Sequence, residues 1–376
     1  MPAVELEVNL TNEAARQMVI CNACRYCEGF CAVFPAMELR RTFTARDVTY
    51  LSNLCFDCRA CYYACQYAPP HEFAINVPKI FSGLRSETYR QYSWPGILSN
   101  LFRRNGLAVA LIAAICVALS LALVLALQGP GVLFSPHVGE GAFYRVVPYL
   151  AMVLPAVIIS IYGAIVFGIG TVRFWRDTHS TFGELVDFSA FVKATQDAFG
   201  LRYLANGGYG CNYPNSAFSQ SRRWFHHLVF YGFLLDLAST TVAAIYDHFL
   251  HWEAPYDLLS LPVVLGTVGG VMLLIGTAGL LYLKWQSDRE PTESSMAKMD
   301  VAFLVMLFLT SLTGLLLLTL RDTAAMGALL TVHLGVVAAL FLTMPYGKFA
   351  HLFYRYAALI RNSVEQARAE AAGAHH

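Results

Sequence analysis

The sequence predicts an all-α membrane protein in which a cysteine-rich, amino-terminal domain precedes six transmembrane helices. Hydrophobic residues make up 57% of the 376 residues and charged residues only 14%, a balance outside the usual range of soluble proteins. Eight of the ten cysteines precede Arg104, whereas long apolar runs dominate from Leu107 onward. The net charge of +1 leaves no basic surplus to neutralise a phosphate backbone, so a nucleic-acid partner is excluded.

The hydropathy pattern divides the chain into four parts. We predict a cysteine-rich domain at 1–84, an amphipathic linker at 85–106, a transmembrane domain at 107–352 with a cytoplasmic loop at 173–224, and a tail at 353–376. A helix of about 20 apolar residues crosses the hydrocarbon core of a bilayer. The six predicted spans are Leu107–Leu127, Val147–Val172, Phe225–Tyr246, Leu258–Leu283, Val301–Leu320 and Ala328–Gly347.

The distribution of Lys and Arg predicts the orientation in the membrane. Of the 26 basic residues, 24 lie in the terminal segments and in the loops on the same side, and only Arg145 and Arg321 lie on the other side. Because positively charged loops stay in the cytoplasm, both termini are predicted to be cytoplasmic. The acidic first residues, with no apolar segment before Cys21, do not form a cleavable signal peptide.

The cysteines form two identical runs, Cys21, Cys24, Cys27, Cys31 and Cys55, Cys58, Cys61, Cys65, with a proline four residues after each run. This is the bacterial ferredoxin spacing, in which the fourth cysteine of one run binds the cluster of the other run. It predicts two [4Fe-4S] clusters, one on Cys21, Cys24, Cys27 and Cys65, the other on Cys55, Cys58, Cys61 and Cys31. Structural zinc uses two cysteine pairs and would leave the third cysteine of each run unexplained. Here Ala32 and Gln66 follow the fourth cysteines where ferredoxins have proline, so the exchange of ligands is an expectation.

Between the two runs, Thr44 and Asp47 form a capping box that opens a helix with an apolar face. The amino-terminal domain is therefore predicted to be mainly helical. Cys116 and Cys211 fall outside the runs and are interpreted as packed or surface thiols.

Histidines near the ends of the third and sixth spans predict a haem. His333 and His351 are 18 residues apart, about five helical turns, so they would face the same way near opposite ends of helix six. His226 or His227 on helix three would lie level with His351, which predicts a bis-histidine b haem. Gly347 would clear the helix face for the porphyrin.

A second haem would use His248 and His333, near the other side of the membrane. Arg222, Arg223 and Arg355 lie about one turn from the predicted cytoplasmic ligands and are expected to pair with haem propionates. Asp236, in the middle of helix three, is either a proton-path or quinone-site carboxylate or a hydrogen-bonding group between helices.

The sequence contains no nucleotide-binding, Walker, flavin or serine-nucleophile motif. A catalytic dehydrogenase must therefore be another polypeptide. The helices also lack paired broken segments and midplane charges, which disfavours a citrate or tricarballylate transporter.

Three segments, Cys55–His71, Gly210–Pro214 and Arg222–His227, resemble the tricarballylate utilisation protein B family, also called citrate utilisation protein B. The resemblance implies two ferredoxin-type clusters and haem in a protein of the bacterial inner membrane. It implies a flavin (FAD)-dependent dehydrogenase as electron donor and membrane quinone as acceptor. The membrane half also resembles the cytochrome b subunit of respiratory nitrate reductases, in which the histidine pair of the partner helix is more closely spaced than His226 and His248.

Two functions remain open from the sequence. The first is an electron-transfer protein that reoxidises the flavin of a tricarballylate dehydrogenase-like partner and reduces quinone. The second is a membrane reductase related to heterodisulfide reductases, which would act on a soluble substrate at its own cluster. That class needs additional cysteines near a cluster, and Cys211 is the candidate.

Overall fold

The computed structural model describes residues 2–178 and 180–373, and the amino-terminal domain within it is helical. Its helices are α1 (Pro2–Cys24), α2 (Val33–Glu38), α3 (Ala45–Leu54), α4 (Ala60–Tyr63) and α5 (Val77–Tyr92). The predicted capping box is confirmed: Asp47 N donates to Thr44 Oγ1 at 3.3 Å, and Thr44 N donates to the Asp47 carboxylate at 3.0 Å. This reciprocal pair fixes the start of α3, whose apolar face packs into the domain core.

The predicted domain boundary at residue 84 lies inside α5. The helix continues to Tyr92, and its side chains at Phe81, Arg85 and Tyr89 are almost completely buried in the amino-terminal core. The predicted linker 85–106 thus begins as a core helix, because this face of α5 stays in contact with α1 and α3.

The remaining helices follow in chain order. They are α6 (Gly96–Leu101), α7 (Asn105–Gln128), α8 (Ala142–Val146), α9 (Tyr149–Asp177), α10 (Phe182–Leu185), α11 (Phe188–Phe199), α12 (Arg202–Ala205), α13 (Ser221–Leu250), α14 (Leu261–Trp285), α15 (Ser294–Leu320), α16 (Met326–Thr343) and α17 (His351–Ala371). Short 3₁₀ turns lie at Phe102–Arg104, Pro130–Leu133, Asn206–Gly208, Met344–Tyr346 and Lys348–Ala350.

Within the described residues, six helical segments are long and apolar enough to cross a membrane, which confirms the predicted number. They are Gly96–Gln128, Tyr149–Asp177, Ser221–Leu250, Leu261–Trp285, Ser294–Leu320 and Met326–Tyr346. The chain is thus a multi-pass membrane protein. The all-α prediction holds apart from one small hairpin in the loop 173–224, where β1 (Cys211–Asn212) pairs antiparallel with β2 (Phe218–Ser219).

The prediction that His333 and His351 share one continuous helix is wrong. Helix α16 ends at Thr343, two 3₁₀ turns follow, and His351 is the first residue of the separate helix α17. Pro345 lacks an N–H for the helical ladder, and Gly347 between the turns is extended (φ −127°, ψ −161°), so the helix cannot continue through this segment. The predicted tail is instead a helix whose face at Tyr354, Ala358 and Ile360 is buried against the rest of the protein.

Glycines bring α13 and α14 into close contact. A Cβ atom at Gly276 would lie 2.9 Å from Phe225 O and 2.9 Å from Val229 N, both backbone atoms of α13. A Cβ atom at Gly269 would lie 2.8 Å from Gly232 O. Small residues that let helix backbones approach are typical of helix pairs in membranes.

We expect Gly276→Ala to destabilise the protein, because the added methyl group must push α14 away from the backbone of α13. Overpacking of this kind costs about 1–3 kcal/mol. The thermal unfolding midpoint of the detergent-purified protein should fall. The matched control is Gly168→Ala in α9, where an added Cβ meets no atom within 4 Å. Equal midpoints for the two variants would contradict the close contact between α13 and α14.

Candidate functional site

The first cavity in the amino-terminal domain contains one set of predicted ligands. Cys21, Cys24, Cys27 and Cys65 line a cavity of about 240 Å³, which Cys61 also borders. Cys21 and Cys24 come from the end of α1, whereas Cys65 follows α4. The fourth cysteine of the second run therefore lies with the first three of the first run.

The second cavity is narrower and deeper. It is lined by Cys55, Cys58 and Cys61 together with Cys31, the fourth cysteine of the first run. Cys55 and Cys58 are only 8% and 7% exposed. The first cavity is thus nearer to the surface and the second nearer to the membrane domain.

The thiols surround these cavities and do not converge on one point. Within the described residues, no three histidine, cysteine or acidic side chains are grouped closely enough to hold a single metal ion. In a structural zinc site, all four sulfurs lie about 2.3 Å from one ion. Cysteines spread around a cavity fit a multi-atom cluster better than a mononuclear site.

Burial, with repulsion between neighbouring thiols, raises the pKa of several of these cysteines. Burial, followed by the neighbouring Cys65, raises the pKa of Cys21 and of Cys27 to about 12. Burial also raises the pKa of Cys31 and Cys61 well above its usual value. Binding of iron must therefore displace thiol protons, as is general for thiolate sites.

Cys211 lies beside Cys58 of the second cavity, the kind of position that the reductase alternative requires of an additional cysteine. It is 1% exposed, its thiol donates to Leu204 O at 3.5 Å, and it lies close enough to the Cys58 thiol for the two to influence each other's pKa. The backbone continues this contact, because Asn212 N donates to Cys58 O at 3.0 Å. This burial is consistent with the prediction that Cys211 is a packed thiol. Its neighbour Cys58, however, is a predicted cluster ligand. No local spacing signals this approach, since 153 positions separate the two cysteines.

The structure brings His226 and His351 together. Their ring centroids are 6.3 Å apart and the ring planes are inclined by 81°. His351 Nδ1 lies 2.7 Å from Lys348 O, so a Nδ1–H would donate to that carbonyl and leave Nε2 free to bind a metal. His226 Nδ1 is buried without a hydrogen-bond partner among the described residues.

The other predicted histidine ligands have different surroundings. His227 packs against Trp224 and Tyr231 and not against His351. His248 is 44% exposed and lies 3.0 Å from the Tyr149 hydroxyl, whereas His333 Nδ1 lies 2.9 Å from Thr313 Oγ1. His248 and His333 have separate partners, so the structure does not bring the predicted second pair together.

The three predicted propionate arginines donate to backbone carbonyls. Arg222 donates to Asp57 O, Arg355 donates to Cys55 O at 2.8 Å, and Arg223 donates to Gly200 O at 2.9 Å. Two of them therefore hold the loop of the second cysteine run. The pairing of these three arginines with haem propionates stays a prediction.

A partly buried ionic network, which was not predicted, supports His351. Asp300 in α15 pairs with Lys284 at 2.5 Å and with Lys348 at 2.8 Å. Lys348 is also the residue whose carbonyl contacts His351 Nδ1. An aspartate in the first part of an apolar span was the available signal, since such a charge requires a partner.

Asp236 lies between α13 and α14, opposite Gly269. Its Oδ1 atom is buried without a hydrogen-bond partner in the described part of the chain. The position favours the interpretation as a residue of the helix interface, although the predicted interhelical hydrogen bond is not formed.

The amino-terminal domain is fixed to the membrane domain by further polar contacts. The buried Arg59 donates to Ser287 Oγ and to Thr292 Oγ1, both at 2.8 Å, and Tyr63 donates to Asp288 at 2.9 Å. These acceptors belong to the loop between α14 and α15. The cysteine-rich domain thus has a defined position against that end of the helix bundle.

The fold and the site define a multi-pass membrane protein with a ferredoxin-like cysteine domain. Residues 100–373 match the family model described as "Citrate utilization protein B". Residues 14–91 match the family model described as "Citrate utilization protein B Fer4-like domain". The chain is 48% identical over 364 residues to a citrate utilization protein B of Escherichia coli, covering 96% of this chain and 94% of that protein. It therefore belongs to the citrate utilization protein B family. No solved structure matches the chain.

Proposed function

We propose that this protein is a membrane electron carrier that accepts electrons from a soluble flavin-dependent dehydrogenase and transfers them to membrane quinone. The observation that carries the proposal is the sequence of sites in the structure. A cysteine cavity near the surface is followed by a less exposed one. The arginines that bind the loop of this second cavity, Arg222 and Arg355, lie one helical turn from a pair of facing histidines. This is the order that stepwise electron transfer from cytoplasm to membrane requires.

The cysteines are proposed to bind two [4Fe-4S] clusters, which accept and release single electrons. Cys21, Cys24, Cys27 and Cys65 would hold the first cluster, and Cys55, Cys58, Cys61 and Cys31 the second. The support is the crosswise lining of the two cavities and the absence of a mononuclear group among the described residues. Four thiol ligands for each cubane match the ferredoxin pattern.

Positive charge near the second cavity also fits an anionic cluster. Arg85, Arg222 and Arg355 all donate to backbone carbonyls of residues 52–57. Within the described part of the chain, none of the three forms an ion pair within 4 Å, and Asp57 is an acidic residue that interacts electrostatically with Arg85 and Arg222. Buried cations need a compensating charge, and a thiolate-bound cluster supplies negative charge at this place.

His226 and His351 are proposed as the axial ligands of one b haem. Their ring centroids lie 6.3 Å apart, and the two imidazoles would hold the iron of the haem, which would supply one-electron transfer. Since His248 and His333 have separate partners, we propose one haem and not two.

The proposed direction follows from the predicted orientation. With both termini cytoplasmic in a bacterial inner membrane, the first cavity faces a soluble partner. The name of the related family points to citrate-like tricarboxylates as substrates of that partner, as does the resemblance to tricarballylate utilisation proteins. The histidine pair lies at the end of the helix bundle that adjoins the cysteine domain, where a lipid-soluble quinone can accept electrons.

The alternative reductase function receives one supporting observation and one opposing observation. Cys211 lies beside Cys58, as an additional cysteine of a catalytic cluster would. It is only 1% exposed, however, so a soluble disulfide substrate cannot reach its sulfur in this conformation. The electron-carrier function is therefore preferred.

The proposal is tested with membranes that contain the flavoprotein partner with or without this protein. Given the partner's tricarboxylate or dicarboxylate substrate, membranes with the protein should reduce a quinone analogue continuously. Membranes without it should leave the flavin reduced after a single turnover. Equal steady-state rates in the two membranes would refute the electron-carrier function, and turnover of a soluble disulfide by the purified protein would favour the reductase.

A further inference from the structure

Two arginines of the membrane domain bind the loop that carries the second cysteine run. Arg355 donates from Nη2 to Cys55 O at 2.8 Å and from Nε to Asn53 O at 3.4 Å. Arg222 donates to Asp57 O. Between them, the two guanidinium groups contact the backbone on both sides of Phe56.

Aromatic rings fix both guanidinium groups in place. The Arg355 guanidinium lies over the Phe56 ring at 4.5 Å, and that of Arg222 lies over the Tyr213 ring at 4.8 Å. Stacking on an aromatic face and donation to a carbonyl use different parts of the guanidinium group, so both contacts form together. These side chains are therefore held in one arrangement.

Each arginine is one helical turn from one member of the facing histidine pair. Arg222 precedes His226 by four residues at the start of α13, and Arg355 follows His351 by four residues at the start of α17. Residues four apart lie on the same face of a helix. Each helix thus directs a histidine toward the other helix and an arginine toward the cysteine loop.

We propose that Arg222 and Arg355 are positioning residues for electron transfer between the second cluster and the haem. The inference rests on the function proposed above and deepens it by assigning the connection between the two centres. The clusters and the haem would supply one-electron transfer, in which no bond forms or breaks, and the two arginines would hold the cysteine loop against the helices of His226 and His351. Each route runs from a cysteine-loop carbonyl through one hydrogen bond and one arginine to the helix of a haem ligand.

The same two side chains also set the electrostatics of the second cluster. Removing a nearby positive charge disfavours the reduced, more negative state, so loss of either guanidinium should lower the reduction potential of this cluster. The first cavity does not adjoin these arginines, because their acceptors all lie between Asn53 and Asp57. The effect should therefore be confined to one of the two clusters.

The test uses the full-length holoprotein with Arg222→Gln, Arg355→Gln and Arg355→Lys. The potential of each cluster is measured by redox titration monitored with electron paramagnetic resonance. The rate of haem reduction is followed at its absorption band after rapid mixing with a reduced donor. The matched control is Arg361→Gln, because Arg361 is on the same helix and also binds the amino-terminal domain, over the Tyr50 ring at 4.1 Å.

We expect both glutamine variants to lower the potential of the second cluster only. Haem reduction should slow by more than about twofold although the lower potential favours transfer to the haem, because the direct link from the loop carbonyl to the histidine helix is lost. Arg355→Lys keeps the positive charge, so the potential of the second cluster should stay close to the wild-type value. Haem reduction should still be slower than in the wild type, because lysine cannot donate to two acceptors in the geometry of arginine. Arg361→Gln should change neither quantity. If the glutamine variants do not fold, the rate of haem reduction in Arg355→Lys is the test. A slower rate supports the inference, and the wild-type rate contradicts it.

Cluster potentials equal to those of the wild type, together with rates of haem reduction within about twofold of the wild-type rate, in folded Arg222 and Arg355 variants would overturn this inference and leave the electron-carrier function intact. An equal decrease in the Arg361 variant would also overturn it, since the effect would then arise from domain packing. If the purified wild-type protein contained neither haem nor clusters, the proposed function would be refuted, and this inference with it.

Discussion

Replacement of His351 by alanine should remove the b-type absorption bands of the dithionite-reduced protein, and His226→Ala should do the same. The two rings face each other at 6.3 Å, and each would supply one of two axial nitrogens. Loss of either ligand leaves the iron without one strong bond and leaves a cavity in its place. We expect haem content to fall to a small fraction of the wild-type value, measured by the pyridine haemochrome spectrum.

Neighbouring histidines provide the controls for this result. His227→Ala should retain the haem, because its ring packs on Trp224 and Tyr231. His333→Ala should retain it as well, since His333 contacts Thr313. Loss of about half the haem in His333→Ala would show that a second haem exists. An unchanged spectrum in His351→Ala would show that the ligand assignment is wrong.

Replacement of a fourth cysteine should remove the cluster of the opposite run. Because Cys31 lines the cavity of Cys55, Cys58 and Cys61, Cys31→Ala should eliminate the same electron paramagnetic resonance signal as Cys58→Ala. Because Cys65 lines the cavity of the first run, Cys65→Ala should eliminate the same signal as Cys24→Ala. Iron content should fall from about eight to about four atoms per protein in each variant.

The pairing of signals distinguishes crosswise from sequential binding. If Cys31→Ala removed the signal that depends on Cys24, each run would bind its own cluster and the assignment from the cavities would be wrong. Cys116→Ala, in the first membrane helix, is the matched control and should keep both signals. Stoichiometric zinc without sulfide in the wild-type protein would refute iron-sulfur binding altogether.

The sequence by itself was sufficient for the six membrane spans, the helical cysteine domain and the capping box at Thr44. These features depend on residues that are close together in the chain. A span is recognised from about twenty consecutive apolar residues, and a capping box from two residues three positions apart. The ferredoxin spacing is equally local, so the eight cysteines could be named as candidate ligands before their positions were known.

Which of His226 and His227 faces His351 was decided only by the tertiary structure. Adjacent residues on a helix point about 100° apart, so the rotation of α13 against α17 determines which ring faces His351. The break after Thr343 also changed the expected geometry. His351 keeps a partner although it is not on the helix of His333, because α17 begins at His351 with its own direction.

The contacts of Cys211, Arg222 and Arg355 with the second cysteine run also required the tertiary structure. The acceptors of both arginines are backbone carbonyls, which every residue possesses, so no residue type in the sequence marks them. The arginines were correctly placed one turn from the histidines, but their direction depends on where the amino-terminal domain docks. Local patterns in the sequence therefore determined which candidate ligands and charged side chains the protein contains. Packing between distant segments decided which of them meet, because a contact between residues more than about a hundred positions apart leaves no periodic pattern in the sequence.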